Sequence, residues 1–285
     1  MSATHTPRYA PEWLELREGA DAAARAAGLL HPLRRHLADL PRRGPGLVIR
    51  DLGCGTGSMG RWLAPRLPGP QHWILHDHDP DLLDRAVALT PGKAADGSRV
   101  TVATERGDIA RLTADGLAGT SLVTASALLD VLTRDELDWL VAACADAGCP
   151  ALLALSVVGR VEFTPADPLD AEIADAFNAH QRRSDQGRGM LGPEAVEAAA
   201  EAFGRRGATV RVHASPWRLG ADESALTAEW LRGWVGAACD QRPDLAPGAE
   251  AYLRRRLEAC AAGELRVLVH HSDLLALPLP PGGTS

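Results

Sequence analysis

A chain of 285 residues, 46% hydrophobic and 24% charged, is long enough to bury one large core. Its formal net charge is −7, and Lys93 is the only lysine among its 30 basic residues. An acidic chain without a basic stripe is a poor match for nucleic acid, whose binding depends on neutralising phosphates. We therefore expect no nucleic-acid partner and a small-molecule substrate.

Membrane insertion, secretion and metal binding find little support in the sequence. No apolar run approaches the roughly 18 residues that span a bilayer, and the first 17 residues lack a basic start followed by an apolar stretch. We expect no membrane partner and a cytoplasmic location. The five cysteines are scattered without a CxxC pair, which indicates buried free thiols. A polar cluster near the second strand comprises His72, His76, His78 and Asp79. Because side chains alternate along a strand, these residues would lie on both faces of the sheet, so no metal site is predicted.

The first predicted element in chain order is a helix from Pro11 to about Leu40, ended by a Pro/Arg/Gly-rich segment. We interpret residues 1–46 as an N-terminal helical cap and residues 47–285 as the main domain. From there strands and helices alternate, which predicts a parallel sheet with helices on both faces. The predicted strands lie near 47–51, 73–76, 100–103, 121–125 and 151–157, and the helices near 58–64, 80–89 and 135–147.

The pattern changes after residue 158. A polar helix is predicted within 163–185 and a loop over 186–192. The remaining elements are helices near 193–205, 224–239 and 248–260, and strands near 209–213 and 265–270. We interpret residues 159–192 as a lid or substrate insertion over the strand ends, where open α/β sheets bind ligands.

The most informative segment is the turn after the first strand, Asp51-Leu52-Gly53-Cys54-Gly55-Thr56-Gly57. Its alternating glycines let the backbone approach a ligand closely, and the helix that follows offers free N–H groups. Asp51 suits a ligand with a cationic amino group and repels a pyrophosphate. The same glycines also fit the GxGxxG pattern of dinucleotide binding through Gly60.

Further carboxylates follow the next two strands. Asp77 ends the second strand, at the spacing from the glycine turn that places an acid beside a ribose. We expect Asp79 to cap the helix that Pro80 opens. In Gly107-Asp108-Ile109, after the third strand, a carboxylate can accept from an adenine amino group while an apolar neighbour packs on the ring.

Together these motifs resemble the cofactor-binding half of the class I methyltransferase family over roughly residues 47–157. Asp77 contributes to the resemblance within the segment His76-Asp77-His78-Asp79-Pro80. The resemblance implies an α/β, Rossmann-like, seven-stranded and mostly parallel sheet with an antiparallel hairpin at one edge. The strands near 209–213 and 265–270 are available for that hairpin. It also implies S-adenosylmethionine (SAM) as the cofactor.

The family's ligand roles fall on matching positions of this chain. The methionine part would lie against Asp51, Gly53, Cys54, Gly55 and Gly57. The ribose would lie against Asp77 and the adenine against Asp108 and Ile109, and we expect His78 and Ser126 at the cofactor as well.

The methyl acceptor is expected beyond the fourth strand. Transfer from a sulfonium needs donor and acceptor in line, with a base only where the acceptor must lose a proton. Asp130 is the first candidate for substrate contact or for a base, with a helix cap or a solvated carboxylate as the alternative. The segment has neither the Asn/Asp-Pro-Pro-aromatic nor the Pro-Cys motif of nucleic-acid base methyltransferases.

The predicted insertion carries a second group of candidates. His180 is a candidate base near neutral pH, with a surface histidine on a lid helix as the alternative. Phe177 and Gln181 are candidate substrate contacts on the same helix.

On the N-terminal helix, Tyr9, Trp13 and Arg17 are candidates to line the cleft. Alternatively, Arg17 forms an i,i+4 ion-pair ladder with Asp21 and Arg25. Near the C-terminus, an apolar stripe is expected to be core or a homodimer surface; it comprises Trp230, Leu231, Trp234 and Val235.

The leading hypothesis is a SAM-dependent methyltransferase acting on an O or N atom of a small metabolite. An NAD(P)-dependent oxidoreductase remains an alternative, as does a non-catalytic SAM-binding or interaction protein that kept the glycine turn. Because the first and third would both bind SAM, only methyl transfer separates them.

Overall fold

The computed structural model describes residues 10–40, 46–107, 109, 112–182, 184–185 and 188–279. Two expected site residues, Tyr9 and Asp108, lie outside these ranges. The strands are β1 (Leu47–Leu52), β2 (Gln71–Asp77), β3 (Val100–Arg106), β4 (Leu122–Ser126), β5 (Ala151–Thr164), β6 (Ser184–Asp185), β7 (Arg188–Gly189), β8 (Thr209–Ala214), β9 (Trp217–Leu219) and β10 (Arg266–Leu277). The helices are α1 (Pro11–Ala24), α2 (Leu30–Asp39), α3 (Ser58–Leu63), α4 (Pro80–Leu89), α5 (Arg134–Asp146), α6 (Asp170–Gln181), α7 (Ala195–Arg205), α8 (Ser224–Gln241) and α9 (Ala246–Ala261).

The main sheet has the strand order β3-β2-β1-β4-β5-β10-β8, with β9 paired to β10. Strands β1 to β5 pair in parallel, whereas β10 is antiparallel to β5, β8 and β9. The mostly parallel Rossmann-like sheet and its antiparallel edge are therefore confirmed, and β9 is a short eighth strand that the sequence pattern did not indicate. The order reverses between β1 and β4, and ligands of open α/β sheets bind at such a point.

Helices cover both faces of the sheet because successive strand residues point to opposite sides. Ile49 of β1 packs in the cluster formed with α2, α3 and α4. Leu52 of the same strand packs in the cluster formed with α5 and α7. Both side chains are fully buried, so the apolar run of β1 is divided between two core layers.

Strand β5 is about twice as long as the sequence predicted. It continues past Val157 to Thr164 because Val161 to Thr164 pair with Val269 to Arg266 of β10. This antiparallel extension carries a third apolar cluster, to which α6, α8 and α9 contribute. The first residues of the expected insertion thus belong to the sheet, and a separate helical layer packs on the extension.

The N-terminal segment bends where a single helix was predicted. Helix α1 ends at Ala24, a 3-10 turn spans Ala27–Leu29, and α2 begins at Leu30. At the bend the Ala26 N–H donates to Asp273 Oδ2 at 2.8 Å. The same buried carboxylate accepts from the Leu155 N–H through Oδ1 at 2.8 Å. One aspartate of β10 therefore fixes the bend and the neighbouring strand together.

The cysteines are free, and four of the five are buried. Within the described ranges, none of the helices combines the length and the apolar character that crossing a bilayer demands.

We expect Asp273→Ala to lower the free energy of unfolding by about 2–4 kcal/mol, because two backbone N–H groups lose a charged acceptor. Asp273→Asn keeps one side-chain oxygen as an acceptor and should lose less. Urea denaturation followed by circular dichroism measures both variants. A wild-type midpoint for Asp273→Ala would show that the bend does not depend on this carboxylate.

Candidate functional site

A cavity of about 440 Å³ lies at the carboxyl ends of β1, β2 and β4. This volume falls within the range of roughly 300–1,000 Å³ that is usual for small-molecule sites. One half is walled by the glycine turn after β1 and by the ends of β2 and β4. The other half is walled by α1, α6, α8, β9 and the extension of β5 and β10.

Most of the residues expected at the cofactor or the substrate line this cavity. They are Trp13, Arg17, Asp51, Gly53, Cys54, Gly55, Asp77, His78, Ile109, Ser126, Asp130, Phe177 and Gln181. Gly57 and His180 are described but do not border it. Because His180, in the last turn of α6, does not border the cavity, the geometry does not support the role of a catalytic base.

The glycine turn is a tight loop held by its own backbone. Gly53 and Gly55 have φ values of 58° and 54°, in the left-handed region that glycine tolerates best. A Cβ at Gly53 would lie 3.2 Å from Leu128 Cδ1, and one at Gly55 would lie 3.1 Å from Leu14 Cδ1. Both the backbone conformation and the available space therefore call for glycine. Gly57 differs, since a Cβ there would meet Ala86 of α4 at 3.1 Å, so this glycine serves helix packing.

Asp51 is a buried carboxylate with one oxygen unpaired. Its Oδ1 accepts from the Thr124 hydroxyl at 2.7 Å, while Oδ2 has no hydrogen-bond partner among the described residues. Burial raises the pKa of Asp51 to about 7, against the lowering effects of the Thr124 hydrogen bond and the Arg25 charge. A cationic group placed at Oδ2 would favour the ionised form.

Asp77 joins the glycine turn to the end of β2. Its Oδ2 accepts from the Gly55 N–H at 2.9 Å, and its Oδ1 accepts from the Asp79 N–H at 3.0 Å. Each carboxylate oxygen can accept a further bond, since the group offers about four lone-pair directions. Asp79 accepts from the Asp81 N–H at 3.0 Å and caps α4, as the sequence predicted.

Two arginines that sequence reasoning did not place at the site hold α1 over the cavity. The buried Arg25 donates through Nη2 to Ser58 Oγ at 3.0 Å and to Ser126 Oγ at 3.1 Å. Burial lowers the pKa of Arg25, and the charges of Asp21, Asp273 and Asp51 oppose that shift. Arg61 of α3 bonds both carboxylate oxygens of Glu18 of α1 at 2.6 Å.

The two alternatives for α1 both hold in part. Arg17 pairs with Asp21 at 3.0 Å, as in the ion-pair ladder, and it also borders the cavity with Trp13. Arg25 leaves the ladder and bonds the two serines instead, because α1 ends just before it.

An aromatic wall forms the half of the cavity away from the glycine turn. It comprises Trp13, Phe177, Trp217, Trp230 and Trp234. Trp230 and Trp234 stack with ring centroids 5.2 Å apart. The stripe expected as core or dimer surface is core at Leu231, Trp234 and Val235, but its tryptophans also border the cavity. Seven tryptophans among few aromatic residues were the signal that could have indicated this wall.

Three further polar side chains border the cavity, and they are Asp130, Gln181 and His271. Asp130 Oδ1 and Gln181 Oε1 are buried without a hydrogen-bond partner in the described part of the chain, and burial raises the pKa of Asp130. Thr133 and Glu136 form the capping box of α5, so the helix-cap interpretation of Asp130 is wrong.

The third polar group, His271, was missed because the last strand was predicted to end at His270. Burial lowers the pKa of His271 to about 3, so the imidazole is neutral near pH 7. Its Nδ1 lies 3.0 Å from the Val269 carbonyl oxygen. The N–H is therefore on Nδ1, which leaves Nε2 as an acceptor.

The arrangement of the described residues does not indicate a metal site. The part of the chain that is described contains no group of three or more His, Cys, Asp or Glu side chains that could hold an ion.

No protein-family model and no curated protein matches the chain. Among solved structures, a SAM-dependent methyltransferase from Geobacter sulfurreducens in complex with S-adenosyl-L-homocysteine is 18% identical, with 95% of this chain and 99% of that chain covered and a TM-score of 0.44. The cyclopropane synthase MmaA2 from Mycobacterium tuberculosis is 12% identical, with coverages of 96% and 100% and a TM-score of 0.44. A putative sarcosine dimethylglycine methyltransferase from Galdieria sulphuraria is 11% identical, with coverages of 94% and 97% and a TM-score of 0.43. Such values are too low to assign an activity, so the function proposed below rests on the site.

We expect Gly57→Ala to lower the free energy of unfolding by about 2–4 kcal/mol, from a left-handed backbone and from crowding against Ala86. Gly69→Ala is the matched control, because Gly69 has nearly the same φ of 87° but nothing within 4 Å of the added Cβ. The control should lose only about 1–2 kcal/mol. Equal losses in urea denaturation would contradict a packing role for Gly57.

Proposed function

We propose that the protein is a class I SAM-dependent methyltransferase that transfers a methyl group to an O or N atom of a small molecule. The observation that carries this proposal is the buried, unpaired Oδ2 of Asp51 on the cavity wall. SAM has a cationic amino group that would neutralise this oxygen, and Asp77 lies one strand away to accept from ribose hydroxyls.

The state of the glycine turn favours SAM over a dinucleotide. A pyrophosphate is bound by free backbone N–H groups, but here three of those groups already have acceptors. The Gly55 N–H donates to Asp77, the Cys54 N–H to the His76 carbonyl, and the Gly57 N–H to the Cys54 carbonyl. Two carboxylates beside the turn would also repel a phosphate. We therefore set the oxidoreductase alternative aside.

The residues present divide the work between binding and transfer. Asp51 would hold the amino group, Asp77 the ribose, and Ile109 one face of the adenine. When bound, SAM supplies an electrophilic methyl group on its sulfonium. The chain's own contribution to transfer is to align the acceptor and exclude water, which the aromatic wall would do, while Asp130 would accept a proton or hydrogen bond from the acceptor.

The expected insertion supports an enzyme over a protein that only binds SAM. Several residues within 159–192 border the cavity beyond the glycine turn: Arg160, Val161, Ala174, Phe177, Asn178 and Gln181. A second, enclosed half of the cavity leaves room for an acceptor beside the cofactor. We therefore retain this segment as the substrate side of the site and residues 1–46 as its N-terminal cap.

We expect the protein to bind SAM and Asp77→Ala to weaken that binding about 10–100-fold, through the loss of charged acceptors for the ribose. The matched control is Asp84→Ala, an exposed aspartate of α4, which should leave the affinity unchanged. Titration calorimetry with SAM and, separately, with NADH measures binding, and labelled SAM with metabolite extracts measures transfer. Binding of NADH in place of SAM, or wild-type SAM affinity in Asp77→Ala, would overturn the site as assigned.

The affinity for SAM should also depend on pH. Because the pKa of Asp51 is about 7 in the free protein, most molecules hold a proton on this carboxyl at pH 6. The ammonium needs the ionised form, so binding must release that proton. We expect an affinity roughly tenfold weaker at pH 6 than at pH 7.5, with proton release seen by calorimetry in two buffers. Asp51→Asn should bind weakly and lose this dependence, whereas a flat wild-type profile would refute the pairing.

A further inference from the structure

The half of the cavity away from the glycine turn offers hydrogen-bond acceptors to whatever fills it. Asp130 Oδ1 and Gln181 Oε1 are buried and unpaired among the described residues, and His271 is left with Nε2 as an acceptor. A buried acceptor without a donor is unfavourable because nothing replaces the water that it has lost, so a substrate that donates hydrogen bonds is favoured there. Trp234 Nε1 is a buried donor without a described partner and would suit one oxygen on the substrate body.

The cavity-lining arginines of the described ranges already have carboxylate partners. Arg17 pairs with Asp21 at 3.0 Å and Arg160 pairs with Glu162 at 2.8 Å. A carboxylate or phosphate acceptor would therefore compete with Asp21 and Glu162 for these guanidinium groups, and it would share the cavity with the Asp130 carboxyl group. Anionic acceptors are disfavoured on charge alone.

The rings of the aromatic wall indicate the shape of the substrate that this half of the cavity would bind. The ring centroid of Trp234 lies 6.3 Å from that of Phe177 and 5.2 Å from that of Trp230. Such faces bind flat apolar groups and attract a positive charge. The wall therefore fits a flat body with a neutral or cationic donor at one end.

Asp130 borders the cavity close in sequence to a residue that lies against the glycine turn. It belongs to the 3-10 turn Leu129–Val131 that follows β4. Leu128, the residue just before this turn, packs against the glycine turn. Its Cδ1 lies 3.2 Å from the position that a Cβ on Gly53 would take. The turn that carries Asp130 therefore begins next to the glycine turn, and Asp130 itself borders the same cavity.

On the basis of the methyltransferase function proposed above, we propose that the acceptor is a primary or secondary amine on a flat apolar body. Asp130 accepts from the amine, and Phe177, Trp230 and Trp234 hold the body. The amine lone pair forms the new N–C bond to the methyl carbon as the C–S bond breaks and sulfur keeps the electron pair. When the amine enters neutral, the excess proton on nitrogen passes to the Asp130 carboxylate after attack. When it enters protonated, that proton passes to Asp130 before attack and the methylated product leaves as the ammonium ion.

Matched small probes test the class of acceptor. Phenethylamine, 2-phenylethanol and 3-phenylpropionate share a ring but differ in the polar end, and propylamine lacks the ring. With S-adenosylhomocysteine present, we expect phenethylamine to bind at least about tenfold more tightly than each of the other three. Tighter binding of the alcohol or the carboxylate would overturn the proposal, as would equal binding of propylamine.

Two variants and one control variant assign the residues. Asp130→Asn, nearly equal in shape, should weaken phenethylamine binding about tenfold while SAM affinity is unchanged. Trp230→Ala should also weaken phenethylamine binding about tenfold, because the ring of the ligand loses a contact. Trp139→Ala, which removes an exposed tryptophan, should leave phenethylamine binding unchanged. Unchanged amine binding in Asp130→Asn would remove Asp130 from the acceptor site.

The labelled product separates this inference from the function on which it rests. After incubation of metabolite extract with labelled SAM, mass spectrometry should identify an N-methyl product. Label in a base-labile methyl ester or in a methyl ether would refute the amine class but retain the methyltransferase. SAM binding without transfer to any compound would refute both, and the absence of SAM binding would refute the site itself.

Discussion

The burial of the Asp51 carboxylate is the constraint on which the rest of the site depends. A charge removed from water must be neutralised, hydrogen-bonded or protonated. Asp51 is partly compensated by the Thr124 hydroxyl and by the nearby Arg25 charge. One oxygen is left unpaired, so the free protein holds a site whose electrostatic balance a cation would complete.

The groups that compensate the buried charge of Asp51 come from parts of the chain that are far apart in sequence. Arg25 is itself buried, and it needs Ser58, Ser126 and the charges around it to remain there. One of those charges, Asp273, also fixes the bend after α1 and the backbone of β5. The N-terminal helix, the first turn of α3, the end of β4 and the last strand are thus coupled through one network, in which each charge is buried because another is present.

The extension of β5 and β10 explains why the cavity has two unlike halves. The parallel strands end in polar residues and a glycine turn, as is usual where open sheets bind ligands. The antiparallel extension continues beyond that edge and supports α6 and α8, whose aromatic side chains enclose the second half. An apolar wall of this kind strengthens the electrostatic contacts made beside it, including those at Asp130.

The sequence by itself determined the alternating strands and helices, the glycine turn, the cap at Asp79 and the set of polar residues at the strand ends. These follow from local rules, because periodicity, backbone freedom at glycine and capping act over a few residues. Only the tertiary structure decided the length of β5, the bend stabilised by Asp273, the position of Arg25 and the entry of Trp217, Trp230 and His271 into the cavity wall. Each of these depends on a partner far away in the chain, so no local pattern could indicate it. The packing of Gly57 on Ala86 and the position of His180 away from the cavity could not be predicted from the sequence for the same reason.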